Sequence, residues 1–331
     1  MKHGEPPSKR SLHVSVPGKI LLAGEYAILR GGRTLSATVE TRLKLEIAPA
    51  SDFAIYSDLW SAPLSPSSTS RDEPLLDSVQ FAARQHQVTK AHIHVQSDLD
   101  VKAGLGSSSA VRLAAHLALA AFAKQTVNLS DDERWDAARA AWRLQKAQQG
   151  FASGYDLVTQ MQGGFVEWTA DYERWPGVVR SLSMDWLNKW VHPYVGGAGA
   201  PTKKVGGSVR SWLDEHHMWP DLTLKTEHLI EAILSQNAET ILNTIRAHRT
   251  LFASAPFYPQ ALDKSLAQLS GFDRSWTFKT TGAGGEDAIL LIGPRSLLAE
   301  PDQALKNRGW SRLKSSWSTQ GSLVSWKDFG L

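Results

Sequence analysis

The 331-residue sequence contains no cysteine. Disulfides, thiolate nucleophiles and cysteine-ligated zinc are thereby excluded, and a reducing compartment suits such a chain. Long apolar runs are missing too. The longest lies within Ala114–Ala123, about half of the ~20 residues that a membrane span needs. The opening stretch, MKHGEPPSKRSLHVSV, holds nothing that could serve as the apolar part of a secretory signal. Charge of one sign is scarce as well. Lys and Arg total 36 against 33 Asp and Glu, a net charge of +3, and no dense basic run with interleaved aromatics points to nucleic acid. These absences lead to the expectation of a cytoplasmic protein, monomer or homodimer, that handles a small molecule and neither a membrane nor a nucleic acid.

What is present is ordinary in bulk: 42% hydrophobic and 21% charged residues, in a length that favours two domains or one large one. Thirteen tryptophans are many, but they are scattered and read as packing. The segment from His13 to Leu29 reads as a strand, a break at Pro17–Gly18, and a second apolar segment. Period-two alternation predicts strands at Thr41–Pro49 and His92–Asp98, and Gly163–Thr169 adds another. Helices are predicted over Leu75–Gln87 and Ser108–Lys124. A third opens on the Ser130/Glu133 capping box and runs towards Gln149, ending at Gly150. The charged turn Asp171–Gly177 marks a domain boundary, dividing the chain into 11–172 and 173–331. Beyond it come a mobile basic loop, Gly196–Gly207, helices over most of Asp221–Phe252, and a glycine loop followed by a strand in Phe278–Pro294. Strands and helices interleave, so the class is mixed α and β, read as α+β.

Three stretches carry candidate chemistry. In VKAGLGSSSAVRLAAHLALAAFA (Val101–Ala123), glycines and serines precede an apolar helix. The first amides of a helix lack internal partners and sit at the positive end of the peptide dipoles, and glycine lets a phosphate approach them closely. Gly104, Leu105, Gly106, Ser107, Ser108 and Ser109 thus form a candidate phosphate loop, in which a serine hydroxyl could also ligate Mg²⁺. No GxxxxGK[ST] is present, the third glycine of a dinucleotide fingerprint is replaced by serine, and the stretch is not G-x-S-x-G. In PGKILLAGEYAILRGG (Pro17–Gly32), Lys19 follows a turn, where its ammonium is either held at a fixed spot or snorkels to the surface. In ASGYDLVTQMQGGFVEW (Ala152–Trp168), Asp156 is either a helix cap or a functional carboxylate. Glu215–His216–His217 and His92-x-His94 each lack a third ligand, so no structural metal is assigned.

In chain order, PGKILLAGEYAIL, KAGLGSSSA, SGYDLVTQMQGG and TTGAGGEDAILLI resemble the GHMP kinase superfamily from end to end. Within it the details are similar to the mevalonate-pathway branch, most of all to phosphomevalonate kinases. Tyr26 stands where mevalonate kinases usually have histidine, and Lys102 precedes GLG as in phosphomevalonate kinases. Tyr56–Trp60 and Ala200–Val205 are also similar to segments of that family. The resemblance implies an N-terminal α/β domain with a left-handed βαβ unit and a C-terminal ferredoxin-like domain, with the site between them. It implies ATP and Mg²⁺ as cofactors, and γ-phosphoryl transfer to 5-phosphomevalonate, giving 5-diphosphomevalonate. The alternatives are a mevalonate kinase or another small-alcohol kinase of the superfamily and, from another class, a non-catalytic sensor of the same fold.

Carried over residue by residue, the resemblance makes Lys19 and Asp156 catalytic. It places nucleotide phosphates on Lys102 and Gly104–Ser109, and Mg²⁺ on Ser108 with Ser107 as fallback. It gives the acceptor to Lys19, Glu25, Tyr26, Lys102, Ser153, Gly154, Asp156, Thr202, Lys203, Gly282, Ala283 and Gly284, with Lys204 as a further cation. Glu25 could instead brace a backbone turn. Two departures stand out: Glu286 occupies the fifth place of the third glycine loop, and Gln145 stands where mevalonate kinases carry a magnesium-binding glutamate.

Overall fold

The computed structural model describes residues 10–58, 63–65, 73–101, 103–196 and 202–328. The first half of the chain runs β1 (Arg10–Ala23), β2 (Arg33–Ala48), β3 (Phe53–Ser57), α1 (Pro74–Gln85), β4 (Ala91–Ser97), α2 (Ser107–Lys124), α3 (Asp131–Gln149), α4 (Tyr155–Gln162), β5 (Phe165–Ala170) and β6 (Gly177–Leu182). The second runs α5 (Asp185–Trp190), β7 (Val191–Val195), α6 (Thr202–Glu215), α7 (Trp219–Ser235), α8 (Ala238–Phe252), α9 (Gln260–Leu266), β8 (Thr277–Thr280), β9 (Ala288–Ile292), α10 (Ala299–Lys306), β10 (Ser311–Arg312), β11 (Trp317–Ser318) and β12 (Leu323–Asp328).

Eight strands among the described residues form the larger sheet, along the path β12-β1-β2-β4-β3, with β5 and β11 also on β2 and β6 on β5. Its one parallel pair is β3 with β4, joined through α1 as a βαβ unit. The second sheet, β10-β7-β9-β8, is antiparallel. The expected boundary at 172/173 cuts the larger sheet, because β6 continues it beyond β5 and the C-terminal β11 and β12 return to β2 and β1. A turn-rich segment marks a hairpin as readily as a linker, and Asp171–Gly177 is a hairpin.

Helix α2 lies against β1 and β2 with apolar residues nearly all round it; Leu113, Ala114, Leu117 and Ala118 are fully buried. Alanine-rich sequence gives it high intrinsic helicity, and burial on every side explains why it shows no polar face. The capping box at Ser130 and Glu133 forms as expected, and Gly150 ends α3 in the left-handed region. Two local expectations fail. β1 passes through Pro17–Gly18 without ending, since a shift of register there absorbs the proline. The supposed mobile loop Gly196–Gly207 enters α6 at Thr202; Val205, Val209, Trp212 and Leu213 bury one stripe, and helical spacing overrides the glycines. Among the described residues, no helix is long and apolar enough to cross a membrane.

Candidate active site

β1 ends its apolar course beneath the N-terminus of α2. The Lys19 backbone N–H donates to the Leu105 carbonyl at 2.9 Å, which fastens the strand to the glycine loop. Lys19 is only 5% exposed, so it does not snorkel. Its Nζ donates to the Gly104 carbonyl at 2.9 Å and to the Tyr155 hydroxyl at 2.8 Å. Burial pulls the ammonium below the ordinary lysine range, against the opposing pull of Asp156, Asp287 and Glu25. The lysine stem lies along Gly106, where a Cβ would come within 2.8 Å of Lys19 Cε and φ is +78°; glycine is required there on both counts.

Gly106 caps α2 without any side-chain hydrogen bond. The first turn of this helix is therefore open to an anion, as a phosphate site needs. Gly104, Gly106, Ser107, Ser108 and Ser109 all line a cavity of about 410 Å³ together with Lys19 and Asp156. Leu105 is buried beside it. The Gly106 carbonyl accepts from Gln160 Nε2 at 3.1 Å and from Ser109 Oγ at 2.9 Å, which fixes the loop from two sides.

Across the cavity, α4 starts at Gly154 and presents Tyr155 and Asp156 from its first turn. Asp156 Oδ1 accepts from the Leu157 amide at 3.0 Å and Oδ2 lies 3.4 Å from Gln145 Nε2. No ion pair joins it to Lys19; the phenol of Tyr155 stands on the lysine instead. Burial first, then the Asp156 and Glu25 carboxylates, push that phenol well above the ordinary tyrosine range, so it remains a neutral donor and acceptor.

The loop before α4 is held from behind by aromatic residues. Trp142 Nε1 donates to the Ala152 carbonyl at 2.9 Å and the Tyr172 hydroxyl to the Ser153 carbonyl at 3.0 Å. Trp142 stacks on both Tyr172 and Trp175. A Cβ at Gly154, where φ is +88°, would lie 2.7 Å from the Trp175 ring and 2.9 Å from Trp142. Tryptophans that look scattered in sequence thus converge on one loop of the site.

The third glycine loop completes the wall. Gly282 and Ala283 line the main cavity, and Gly284 lines a small neighbouring one of about 20 Å³. The Tyr26 hydroxyl donates to the Ala283 carbonyl at 2.5 Å, and Thr281 Oγ1 to the Leu21 carbonyl at 2.6 Å. Glu25 and Ser153 also line the cavity. Glu25 is not a turn brace: it is buried and ion-paired with Lys279. Glu286 is exposed and does not line the cavity, whereas its neighbour Asp287 does. Lys102 and the side chains of Thr202 and Lys203 lie outside the described residues; Lys204 is exposed.

The donor set does not fit a protein-held Mg²⁺. Ser108 Oγ accepts from the buried Arg112 guanidinium, so one of its two lone pairs already faces a cation, which opposes a second cation on the same oxygen, and its O–H is free to donate. Gln145 is a neutral amide, and no group of three or more His, Cys, Asp or Glu among the described residues could hold a metal. Tyr155, Arg112 and Asp287 were not singled out by sequence reasoning. Only Tyr155 carried a signal, its adjacency to Asp156.

Comparison with known proteins agrees with this fold. Residues 75–164 match the GHMP kinases N terminal domain. A mevalonate kinase of Archaeoglobus fulgidus is 24% identical over 299 residues, covering 87% of this chain and 96% of that protein. A Listeria innocua protein, designated Lin0012, superposes with a TM-score of 0.76 at 17% identity, covering 95% of this chain and 99% of its own. The Streptococcus pneumoniae phosphomevalonate kinase in complex with phosphomevalonate and AMPPNP superposes with a TM-score of 0.70 at 18% identity, covering 92% and 99%. Residues 75–164 thus match the GHMP kinases N terminal domain, and the chain as a whole shares the two-domain fold of these solved structures.

Proposed function

We propose that the protein is an ATP-dependent small-molecule kinase that transfers the γ-phosphoryl group to 5-phosphomevalonate, giving 5-diphosphomevalonate. One observation carries the reading. A buried lysine, bonded only to neutral partners, stands between the open N-terminus of α2 and the first turn of α4, in a cavity lined by all the glycine loops. Phosphoryl transfer needs positioning and charge compensation above all. The amides at the start of α2 and the Ser108 hydroxyl would hold the nucleotide phosphates, and Lys19 would offset charge that spreads over the transferring group. Any divalent cation would be carried mainly by the nucleotide's phosphates, since the described residues hold no group of three or more His, Cys, Asp or Glu that could bind it.

A phosphomonoester acceptor, with its second pKa near ~6, is already largely dianionic at neutral pH and needs cations more than a base. That suits a site where the carboxylate of Asp156 does not contact Lys19 and serves instead to orient the first turn of α4. A second reading, mevalonate as acceptor, has its own support in relatives that are mevalonate kinases. In that case Asp156 or Tyr155 must take part in deprotonating or orienting an alcohol. ATP consumption by the purified chain with each acceptor tests both. Turnover with 5-phosphomevalonate alone is the expected result; turnover with mevalonate alone would replace the first reading by the second, and silence with both would defeat the kinase assignment.

A further inference from the structure

Helix α6 packs on the acceptor side of the cavity. Its Val205 and Val209 belong to the apolar cluster against which Tyr26 packs, and its Gly206 lines the cavity beside Phe151. A Cβ at Gly206 would come within 2.8 Å of the Phe151 ring, so the missing side chain is what admits that ring. One turn further along the same helix face, the Arg210 guanidinium lies over Phe151, 4.7 Å from the ring centroid. Phe151 is thus bracketed by α6, and Arg210, though not itself part of the cavity lining, is held against the lining Phe151 by a cation–π contact.

This cation differs from the other arginines packed near the site. Arg33 is matched to Glu167, Glu227 and Glu231, Arg249 to Asp263 and Asp273, and Arg112 to Ser108 and Gln148. Half-buried Arg210 has no hydrogen bond or ion pair among the described residues. Its charge reaches Tyr26: burial first, and Glu25 second, raise that phenol's pKa, and Arg210 opposes them. A planar fork of donors, pre-oriented by stacking and lacking an anion, is suited to bidentate capture of a carboxylate or phosphate.

We infer that Arg210 is a specificity-determining residue of the acceptor end, where its guanidinium binds an anionic oxygen group of the small-molecule acceptor. The inference deepens the proposed function and rests on its division of the cavity into a nucleotide end and an acceptor end. It selects acceptors that carry an oxyanion remote from the reacting oxygen, a class that includes both the carboxylate of mevalonate and the additional phosphate of 5-phosphomevalonate.

Phenylglyoxal labelling of the full chain, with modified arginines located by mass spectrometry, tests this without requiring turnover. Arg210 should react in the free protein and react at least fivefold more slowly with acceptor present. Protection by 5-phosphomevalonate alone assigns the guanidinium to the phosphate; protection by mevalonate as well assigns it to the carboxylate. In parallel, Arg210→Gln should raise the acceptor KM about tenfold with kcat and the ATP KM nearly unchanged, and Arg210→Lys should recover part of the loss. Turnover with an unaltered acceptor KM in Arg210→Gln and no protection would overturn the inference while leaving the kinase reading intact. Protection by AMPPNP alone would overturn it by giving the guanidinium to the nucleotide. Protection by an acceptor in a chain that turns over neither acceptor would uphold the inference and defeat the kinase reading, and failure of both readouts would remove both.

Discussion

On the proposed reading, the two ends of the cavity are built differently. At the proposed nucleotide end β1 delivers Lys19 against the backbone of the loop that opens α2, and α4 steadies both through Tyr155 and Gln160. At the acceptor end, segments more than a hundred residues apart converge, with Tyr26, the loop before α4, the first turns of α6 and the third glycine loop each supplying part of the wall. The cation of the first end is buried and already bonded, and the cation proposed for the second is half-exposed with its donors unused. The phosphate chain of the nucleotide donor is the same whatever the acceptor and can be met by fixed backbone geometry. An acceptor varies, and side chains borrowed from several elements are the means of varying with it.

Substitutions at each end sharpen this contrast. Lys19→Met should have the largest effect, a loss of turnover of about 10²- to 10³-fold, the range seen when a charge-stabilising group is removed. AMPPNP should still bind, because the α2 amides are untouched; steady-state ATP consumption and a nucleotide titration check the two halves of this expectation. Gly154→Ala acts on the other end through its packing. A methyl driven into Trp175 and Trp142 at a left-handed backbone position should cost about 2 kcal/mol of stability, read by urea unfolding. It should also raise the acceptor KM more than the ATP KM, and equal changes would contradict the division of the cavity.

Tyr155→Phe removes the hydroxyl that accepts from Lys19 Nζ. A hydrogen bond to a charged group is worth about 1.5 kcal/mol, so kcat should fall about tenfold, with a shift of the pH profile that Leu157→Val, a change in the core of the same helix, would not cause. An unshifted profile would mean that the phenol is only a filler.

The smallest effect concerns the helix beneath the nucleotide end. His116, inside α2, is buried with both ring nitrogens unpartnered, and burial, reinforced by His86 and Arg112, lowers its pKa from 6.5 to about 3. The unfolded chain therefore binds the proton first, and stability falls as pH drops below about 6.5 towards 3. His116→Leu should remove this residue's share of the fall, about 1.4 kcal/mol at pH 5.5 and nothing at pH 8, as measured by unfolding at the two pH values. His248 and His192, each lowered to about 4 chiefly by burial, should leave the rest of the acid sensitivity in place.

The same contrast explains what could be read from the sequence. The nucleotide end is local, so the glycines before α2, the bare helix start and Lys19 within a motif were visible as patterns, and their spacing carried the resemblance. The capping box of α3 was legible for the same reason. The acceptor end is a product of tertiary convergence. No periodicity shows that Trp142, Tyr172 and Trp175 meet behind Gly154, that Tyr155 reaches Lys19, or that Arg112 occupies the hydroxyl of Ser108. Composition misled where glycines suggested a loop, because the apolar spacing of Val205, Val209, Trp212 and Leu213 outweighs them in α6. It misled again at Asp171–Gly177, where a hairpin turn has the makeup of a linker.

The account depends most on the claim that the N-terminus of α2 and Lys19 face one nucleotide. A crystal structure with AMPPNP tests it directly: the β- and γ-phosphates should accept from the amides of residues 107–109, with Lys19 Nζ within hydrogen-bonding distance of the γ-phosphate. A nucleotide bound elsewhere, with those amides turned to solvent and Lys19 still engaged only by Gly104 and Tyr155, would contradict it.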